Sequence, residues 1–197
     1  GASVPTWLAW LSVALSVVLV AVMAHSYTMA ARPAWDSVLW ILYVLGNACV
    51  LGPATFQLIM AAAGAGGQPA GRAADAGAPA GLAALVGAAA NALAALAFAI
   101  FLQLSAGSFA DVGYYFDPTH PTEAMADAAA TVGAQAPLLW LGAVAVGAIV
   151  PLAAAFMGRR SGNWRLWAPV AIIAALAGAV CMRVAFYNLG LSVFMFY

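Results

Sequence analysis

Residues 181–190 read CMRVAFYNLG and place Arg183 inside an apolar segment that runs from Leu166 to Tyr197. A guanidinium within the bilayer costs about 2.5–3.5 kcal/mol or more, so Arg183 needs a partner, a wet cavity or an outlet to the interface. Tyr187 and Asn188 follow about one turn later, and their polar atoms need partners in lipid as well. The segment therefore predicts a membrane-spanning helix that carries a polar site.

The composition of the whole chain excludes a soluble globular domain. Of its 197 residues, 66% are hydrophobic and 6% are charged, whereas soluble domains have about 25% charged residues. Six arginines balance six acidic residues, so the chain has no basic surface for nucleic acid. Cys49 and Cys181 lie in apolar runs, which predicts small buried side chains rather than a disulfide or iron–sulfur ligands. The chain is thus expected to be an integral membrane protein.

Five apolar runs are long enough to cross a hydrocarbon core of about 30 Å. They are Trp7 to Met29, Val38 to Ala63, Leu82 to Ser105, Leu138 to Gly158 and Leu166 to Tyr197. Their continuous alanine, leucine and valine indicate helices rather than strands. We therefore expect an all-α fold, a polytopic transmembrane helix bundle that forms one membrane domain over residues 1–197. The glycine and alanine positions of the third run favour close approach of neighbouring helices.

The arginines outside the apolar runs predict an orientation. Four of them, Arg72, Arg159, Arg160 and Arg165, fall in connectors on one side of the membrane, and Arg32 falls on the other side. By the positive-inside rule, the side with four arginines faces the cytoplasm. The N-terminal end of the chain should then be cytoplasmic and the C-terminus should lie outside.

Two connectors are long enough to carry structure of their own. Residues 64–79, GAGGQPAGRAADAGAP, predict a flexible cytoplasmic link because they are small, polar and rich in glycine. Residues 107–135 form an acidic outer loop in which a short helix should begin at Thr122 and end at Gly133. The aromatic residues 114–116 precede that helix, and they indicate either an interfacial belt or a docking patch for another subunit.

Polar residues within the spans fall at two depths. Asn47 and Asn91 come out near the midplane, where amides often hydrogen-bond across helices, so we expect a structural polar pair. At about 1.5 Å per residue, His25 and Arg183 each lie roughly 25 Å above the cytoplasmic entry. Tyr187 falls near the same level, so these three side chains reach the outer edge together.

The histidine count argues against haem and metal. A bis-histidine haem would need both His25 and His120, and His120 lies in the polar loop DPTHPTE. Asp117, His120 and Glu123 have a spacing that could hold a divalent metal, but the prolines around them interrupt a regular helix. A solvated loop is the preferred interpretation, and no haem or metal is expected in this chain.

Short motifs in the first hairpin and the last helix resemble a known family. The hairpin reads VMAHSYTMAARPAWDSVLW, the second run contains a Gly-Pro pair, and the last helix contains R-x-x-F-Y. This order resembles the membrane-anchor subunit family of dimethyl sulfoxide reductase-type enzymes (DmsC type). The residues that carry the resemblance are Tyr27, Pro33, Trp35, Ser37, Gly52, Pro53, Arg183, Phe186 and Tyr187.

The resemblance implies a larger protein and a respiratory role. Members of that family look like eight-helix proteins, and the five runs here are similar to their last five, so the chain would be the C-terminal portion of a longer anchor. Such an anchor lies in the bacterial cytoplasmic (inner) membrane and oxidises menaquinol in anaerobic respiration. It passes the electrons to an iron–sulfur subunit, which feeds a molybdopterin catalytic subunit. The anchor carries no metal of its own.

The residues that suit a quinol site are His25, Arg183 and Tyr187, with no catalytic residue assigned. His25 can exchange a proton near neutral pH, and Arg183 can stabilise negative charge on a quinol oxygen. Alternatively, Arg183 extends to the outer interface or pairs with Asp36 or Asp111. Two other functions stay open: a small transporter or channel component, which the prolines and the intramembrane arginine favour, and a purely structural membrane anchor.

Overall fold

The computed structural model describes residues 5–63, 70–110 and 127–190, and for residues 70–78 and 110 it describes the backbone alone. Within these ranges the regular structure is entirely helical. The helices are α1 (Thr6–His25), α2 (Val38–Ala63), α3 (Ala70–Ala110), α4 (Ala128–Ala134), a π-helix (Pro137–Ile149) that continues into α5 (Val150–Ser161), and α6 (Trp164–Asn188). The expected all-α transmembrane bundle is confirmed.

Among the described residues, five helical segments are long and apolar enough to cross a membrane. They are Thr6–His25, Val38–Ala63, Pro79–Phe109, Pro137–Ser161 and Trp164–Asn188. The second has the predicted bounds, and the others differ from the prediction by a few residues, apart from the last. That helix ends at Asn188, where the N–H of Gly190 turns back to the carbonyl of Tyr187, and residues 191–197 of the predicted run lie outside the described residues. The chain is thus a multi-pass membrane protein.

The successive spans run in opposite directions, which gives the bundle two different ends. Arg159, Arg160 and Arg165 lie where α5 ends and α6 begins, and this side is called the arginine end below. The opposite side holds Trp35 in the α1–α2 connector and Arg183 near the end of α6, and it is called the aromatic end. At the arginine end, Arg165 Nε donates a hydrogen bond of 3.2 Å to the carbonyl of Ala61, which ties α6 to the last turn of α2.

Small residues bring the helices into backbone contact. A methyl group on Gly87 of α3 would collide with the backbone carbonyl of Cys49 in α2, and one on Gly178 of α6 would collide with Gly147 in the π-helix. Without a hydrophobic force between helices in lipid, close packing of this kind supplies much of the association energy. These contacts agree with the expectation drawn from the glycine and alanine positions of the third run.

The predicted pair of Asn47 and Asn91 is wrong. Asn91 is fully buried, but its Nδ2 donates to the carbonyl of Gly147 at 3.1 Å. Gly147 lies in the last turn of the π-helix, and Pro151 just beyond it has no N–H to donate to the carbonyls of that turn. The Asn91 amide supplies a donor there. Within the described part of the chain, Asn47 Nδ2 and Asn91 Oδ1 are both buried without a hydrogen-bond partner.

The connectors depart from the expectations where the structure describes them. The flexible link was expected to extend to Pro79, but α3 already begins at Ala70. The segment is rich in alanine, which has the highest intrinsic helix propensity. Helix α4 is capped by Asp127, whose side chain accepts from the N–H groups of Ala129 and Ala130, and it passes Gly133 to end at Ala134. Thr122, the aromatic residues 114–116, and Asp111, Asp117, His120 and Glu123 lie outside the described residues.

The cysteines are more accessible than expected. Cys49 is exposed and Cys181 is half-buried, and neither forms a disulfide. In a bilayer an apolar side chain gains nothing by turning inward, so an apolar run does not predict burial. Helix α1 shows the same effect, because Ala24 is its only buried residue and most of its other side chains are exposed.

Candidate functional site

Three aromatic rings are stacked at the aromatic end. Phe186 of α6 lies between Trp35 and Trp40, with ring centroids 4.6 Å and 3.8 Å away and interplanar angles of 9° and 17°. Trp35 Nε1 donates to the carbonyl of Phe186 at 2.6 Å. This carbonyl lies in the last turn of α6, where helix carbonyls lack intrahelical donors. The stack thus joins the α1–α2 connector and the start of α2 to the end of α6.

Arg183 contacts three aromatic rings, and one of them, Trp40, belongs to the stack. Its guanidinium carbon is 5.0 Å from the ring centroid of Tyr27, 5.2 Å from that of Trp40 and 5.6 Å from that of Tyr187. A cation over an aromatic face gains about 0.5–2 kcal/mol, and more where water is absent. These rings are the partner that an intramembrane arginine requires. We call Arg183 and the five rings around it the Arg183 cluster: Tyr27, Trp35, Trp40, Phe186 and Tyr187.

Two hydrogen-bond donors in the cluster remain unused. Arg183 Nη1 and Trp40 Nε1 are both buried, and neither has an acceptor among the residues that the structure describes. Trp40 is only 2% exposed, so its indole N–H has no route to solvent in this arrangement. A buried polar group without a partner costs about 1–3 kcal/mol, and such groups in native proteins call for an explanation. The cluster therefore contains two buried donors that no described residue satisfies.

Local structure explains how the sequence assembles the cluster. After α1 ends at His25, consecutive turns fold the connector back, with Trp35 N–H donating to the carbonyl of Arg32 and Trp40 N–H to that of Ser37. Trp40 and Tyr43 are three residues apart, so they lie on the same buried face of α2. On α6, Arg183 and Tyr187 are one turn apart. A side chain on Gly190 would collide with the Trp35 ring, so the small residue there is required.

The structure brings together two of the three predicted quinol-site residues. Arg183 and Tyr187 are in contact, and Tyr187 is 51% exposed at the cluster's edge. His25 is exposed, and its Nδ1 lies 3.0 Å from Thr28 Oγ1. It makes no ring contact or hydrogen bond with Arg183 or Tyr187. The depth estimate for His25 carried no information on which side of α1 the ring would project.

Arg183 could alternatively pair with Asp36 or Asp111, or extend to the membrane interface. Asp36 is exposed and forms no ion pair with Arg183, while Asp111 lies outside the described residues. The guanidinium is half-buried, with Nη1 fully enclosed, so it does not extend freely to the interface.

Sequence reasoning missed Trp40 and Tyr43, although their three-residue spacing on α2 was a usable signal.

The cluster has the chemistry of a site for a molecule that carries hydrogen-bond acceptors. The arginine supplies positive charge, Arg183 Nη1 and Trp40 Nε1 supply donors, and Tyr43 packs against Trp40 at 5.8 Å between ring centroids. Carbonyl, carboxylate or phenolate oxygens would satisfy both donors. A comparison of the chain with protein-family models, with curated proteins and with solved structures found no match in any of the three.

Proposed function

We propose that the chain is a quinol-binding membrane-anchor subunit, in which the Arg183 cluster holds the quinol head group. The observation that supports this most is the pair of buried donors without acceptors, Arg183 Nη1 and Trp40 Nε1. A quinone ring carries two oxygen acceptors and a flat face that stacks on aromatic side chains. Menaquinol is the member of this class that the resemblance implies, with an iron–sulfur subunit as electron acceptor and a molybdopterin subunit beyond it.

The residues of the cluster would favour oxidation of the bound quinol. Quinol oxidation releases two electrons and two protons, and the reacting oxygens become negative as the protons leave. Arg183 would stabilise that charge through a charge-assisted hydrogen bond, which is about twice as strong as a neutral one. Trp40 Nε1 would donate to an oxygen as well, and the neighbouring rings would exclude water. The two electrons pass to the iron–sulfur subunit, and the protons leave at the aromatic end.

The orientation belongs to the same proposal. The arginine end carries Arg159, Arg160 and Arg165, whereas Arg32 lies at the aromatic end. The positive-inside rule then places the arginine end in the cytoplasm and the aromatic end outside, in the bacterial inner membrane. Quinol oxidation at the Arg183 cluster would accordingly release protons outside.

A purely structural anchor is the second candidate, and the ring contacts of Arg183 favour it. Three cation–π contacts stabilise the guanidinium without any ligand. In that case the cluster only fastens the α1–α2 connector to α6. The two candidates differ in whether the open donors bind anything.

Direct binding separates them. The purified protein in detergent is titrated with a short-chain menaquinone analogue by calorimetry. Arg183→Gln should weaken binding by about tenfold or more, because a hydrogen bond to a charged group contributes about 1.5–3 kcal/mol. Arg183→Lys should restore part of the affinity, since lysine keeps the charge but lacks the planar fork. Trp40→Phe, which keeps a ring and removes one neutral donor, should cost about two- to tenfold.

Arg165→Gln is the matched control, because it removes the same charge at the arginine end, away from the Arg183 cluster. It should bind the analogue as the unaltered protein does. In an assembled complex, Arg183→Gln should also slow menaquinol-dependent turnover, while an artificial donor that bypasses the anchor keeps its rate. Equal affinity of Arg183→Gln and Arg165→Gln for the analogue would contradict the quinol site and leave the structural anchor.

A further inference from the structure

The arginine end contains a small cavity, separate from the Arg183 cluster. It has a volume of about 250 Å³ and is lined by Leu85 of α3 and by Phe156, Arg159 and Arg160 of α5. Both arginines are exposed, and neither has a hydrogen bond or ion pair with any residue that the structure describes. Two positive charges therefore border the same small space, and neither forms an ion pair with a residue whose side chain the structure describes.

The walls of the cavity differ in polarity along the bundle axis. Phe156 lies one turn before Arg160, deeper in the span, and its side chain is 50% exposed. Leu85 lies in the part of α3 that crosses the membrane. The cavity thus has an apolar inner part and a cationic outer part, and Gly162 ends α5 two residues beyond Arg160. This order matches the change from hydrocarbon to head groups at a bilayer surface.

Arg165, the third arginine at this end, already has a hydrogen-bond partner. Arg165 Nε donates to the carbonyl of Ala61, and Arg165 does not line the cavity. Its contact is explained by the packing of α6 on α2. The free guanidinium groups of Arg159 and Arg160 have no such explanation, although cations in the last turn of a helix also gain from its dipole.

We infer that this cavity binds an anionic phospholipid, with its phosphate between Arg159 and Arg160 and an acyl chain along Phe156 and Leu85. Guanidinium groups bind phosphate oxygens in a bidentate manner, and basic pockets at membrane surfaces recognise anionic head groups. A free phosphate would use the arginines but not the apolar wall. The surrounding bilayer supplies the lipid at high local concentration. This inference is independent of the proposed quinol site.

The test measures lipid retention by native mass spectrometry. The purified protein is titrated with phosphatidylglycerol or with phosphatidylcholine of the same acyl chains, and bound lipids are counted. Phosphatidylglycerol should bind more tightly to the unaltered protein. The double variant Arg159→Gln/Arg160→Gln should weaken phosphatidylglycerol binding by about tenfold or more. Phe156→Ser should weaken both lipids, because it removes the apolar wall without changing the charge.

The matched control is Arg32→Gln/Arg165→Gln, which removes the same number of charges and leaves the cavity intact. It should keep the preference for phosphatidylglycerol. Glycerol 3-phosphate added as a competitor should not displace the lipid. Equal loss of phosphatidylglycerol binding in both double variants would overturn the inference, and so would displacement of the lipid by glycerol 3-phosphate. It would also be overturned if Arg159→Gln/Arg160→Gln lowered the thermal stability but kept the lipid preference, because the two arginines would then only cap the helix.

Discussion

Trp35 donates its indole N–H to the backbone carbonyl of Phe186, a residue 151 positions away, and the two rings lie parallel. The bond satisfies a carbonyl that the end of α6 leaves open, since the N–H of Gly190 bonds to Tyr187 instead. The Trp35 side chain thus links the α1–α2 connector to the end of α6.

Replacing Trp35 with phenylalanine should therefore destabilise the bundle. Trp35→Phe keeps a stacking ring but leaves the Phe186 carbonyl unpaired in a buried position, which costs about 1–3 kcal/mol. The measurement is the free energy of unfolding in mixed detergent micelles. Trp10→Phe is the control, because Trp10 is 70% exposed on α1. Equal effects of the two substitutions would mean that the indole bond contributes nothing.

The two midplane asparagines should respond differently to the same deletion. Asn91→Ala removes the donor to the Gly147 carbonyl and should cost about 0.6–2 kcal/mol, whereas Asn47→Ala removes an amide whose Nδ2 has no partner and should cost less. The double variant tests the discarded pair directly. Additive unfolding free energies are expected, and a coupling above about 0.5 kcal/mol would show that the two amides interact after all.

Close backbone contact predicts a large effect of one methyl group at Gly178. Gly178→Ala places that group against the backbone of Gly147, so α6 and the π-helix must separate at a cost of about 1–3 kcal/mol. Gly107→Ala in α3 is the counterpart, because nothing lies within 4 Å of a methyl group there. The second substitution should be neutral or slightly stabilising, since alanine favours a helix by up to about 1 kcal/mol. Thermal unfolding in detergent compares the two, and similar midpoints would refute close packing at Gly178.

Cysteine labelling tests the proposed orientation. In a background without Cys49 and Cys181, Ser161→Cys at the arginine end should react with a membrane-impermeant maleimide from the cytoplasm alone. Ala30→Cys at the aromatic end should react from outside alone, because the arginines favour the cytoplasmic side. Both positions are exposed, so access to the reagent is not limited by packing. Labelling of each position from the opposite side would reverse the orientation.

The sequence predicted the spans well because hydrophobic length is a local property. The run from Val38 to Ala63 matches α2 end to end, and Arg183 was correctly marked as a polar position that needs partners. The identity of those partners depends on how helices rotate against one another, which apolar length does not encode. This is why Trp40 and Tyr43 were missed and why His25 was placed in a site that it does not join.

The backbone donor that Pro151 lacks has a consequence for how this chain can change over time. Asn91 and Pro151 form a dependent pair on different helices: the amide donates to the Gly147 carbonyl beside a turn in which the proline offers no donor. A lineage that loses Asn91 first passes through a less stable intermediate, while one that loses Pro151 first gains a backbone donor and makes the asparagine dispensable. Substitutions at these two positions should consequently be ordered, with the proline replaced before the asparagine.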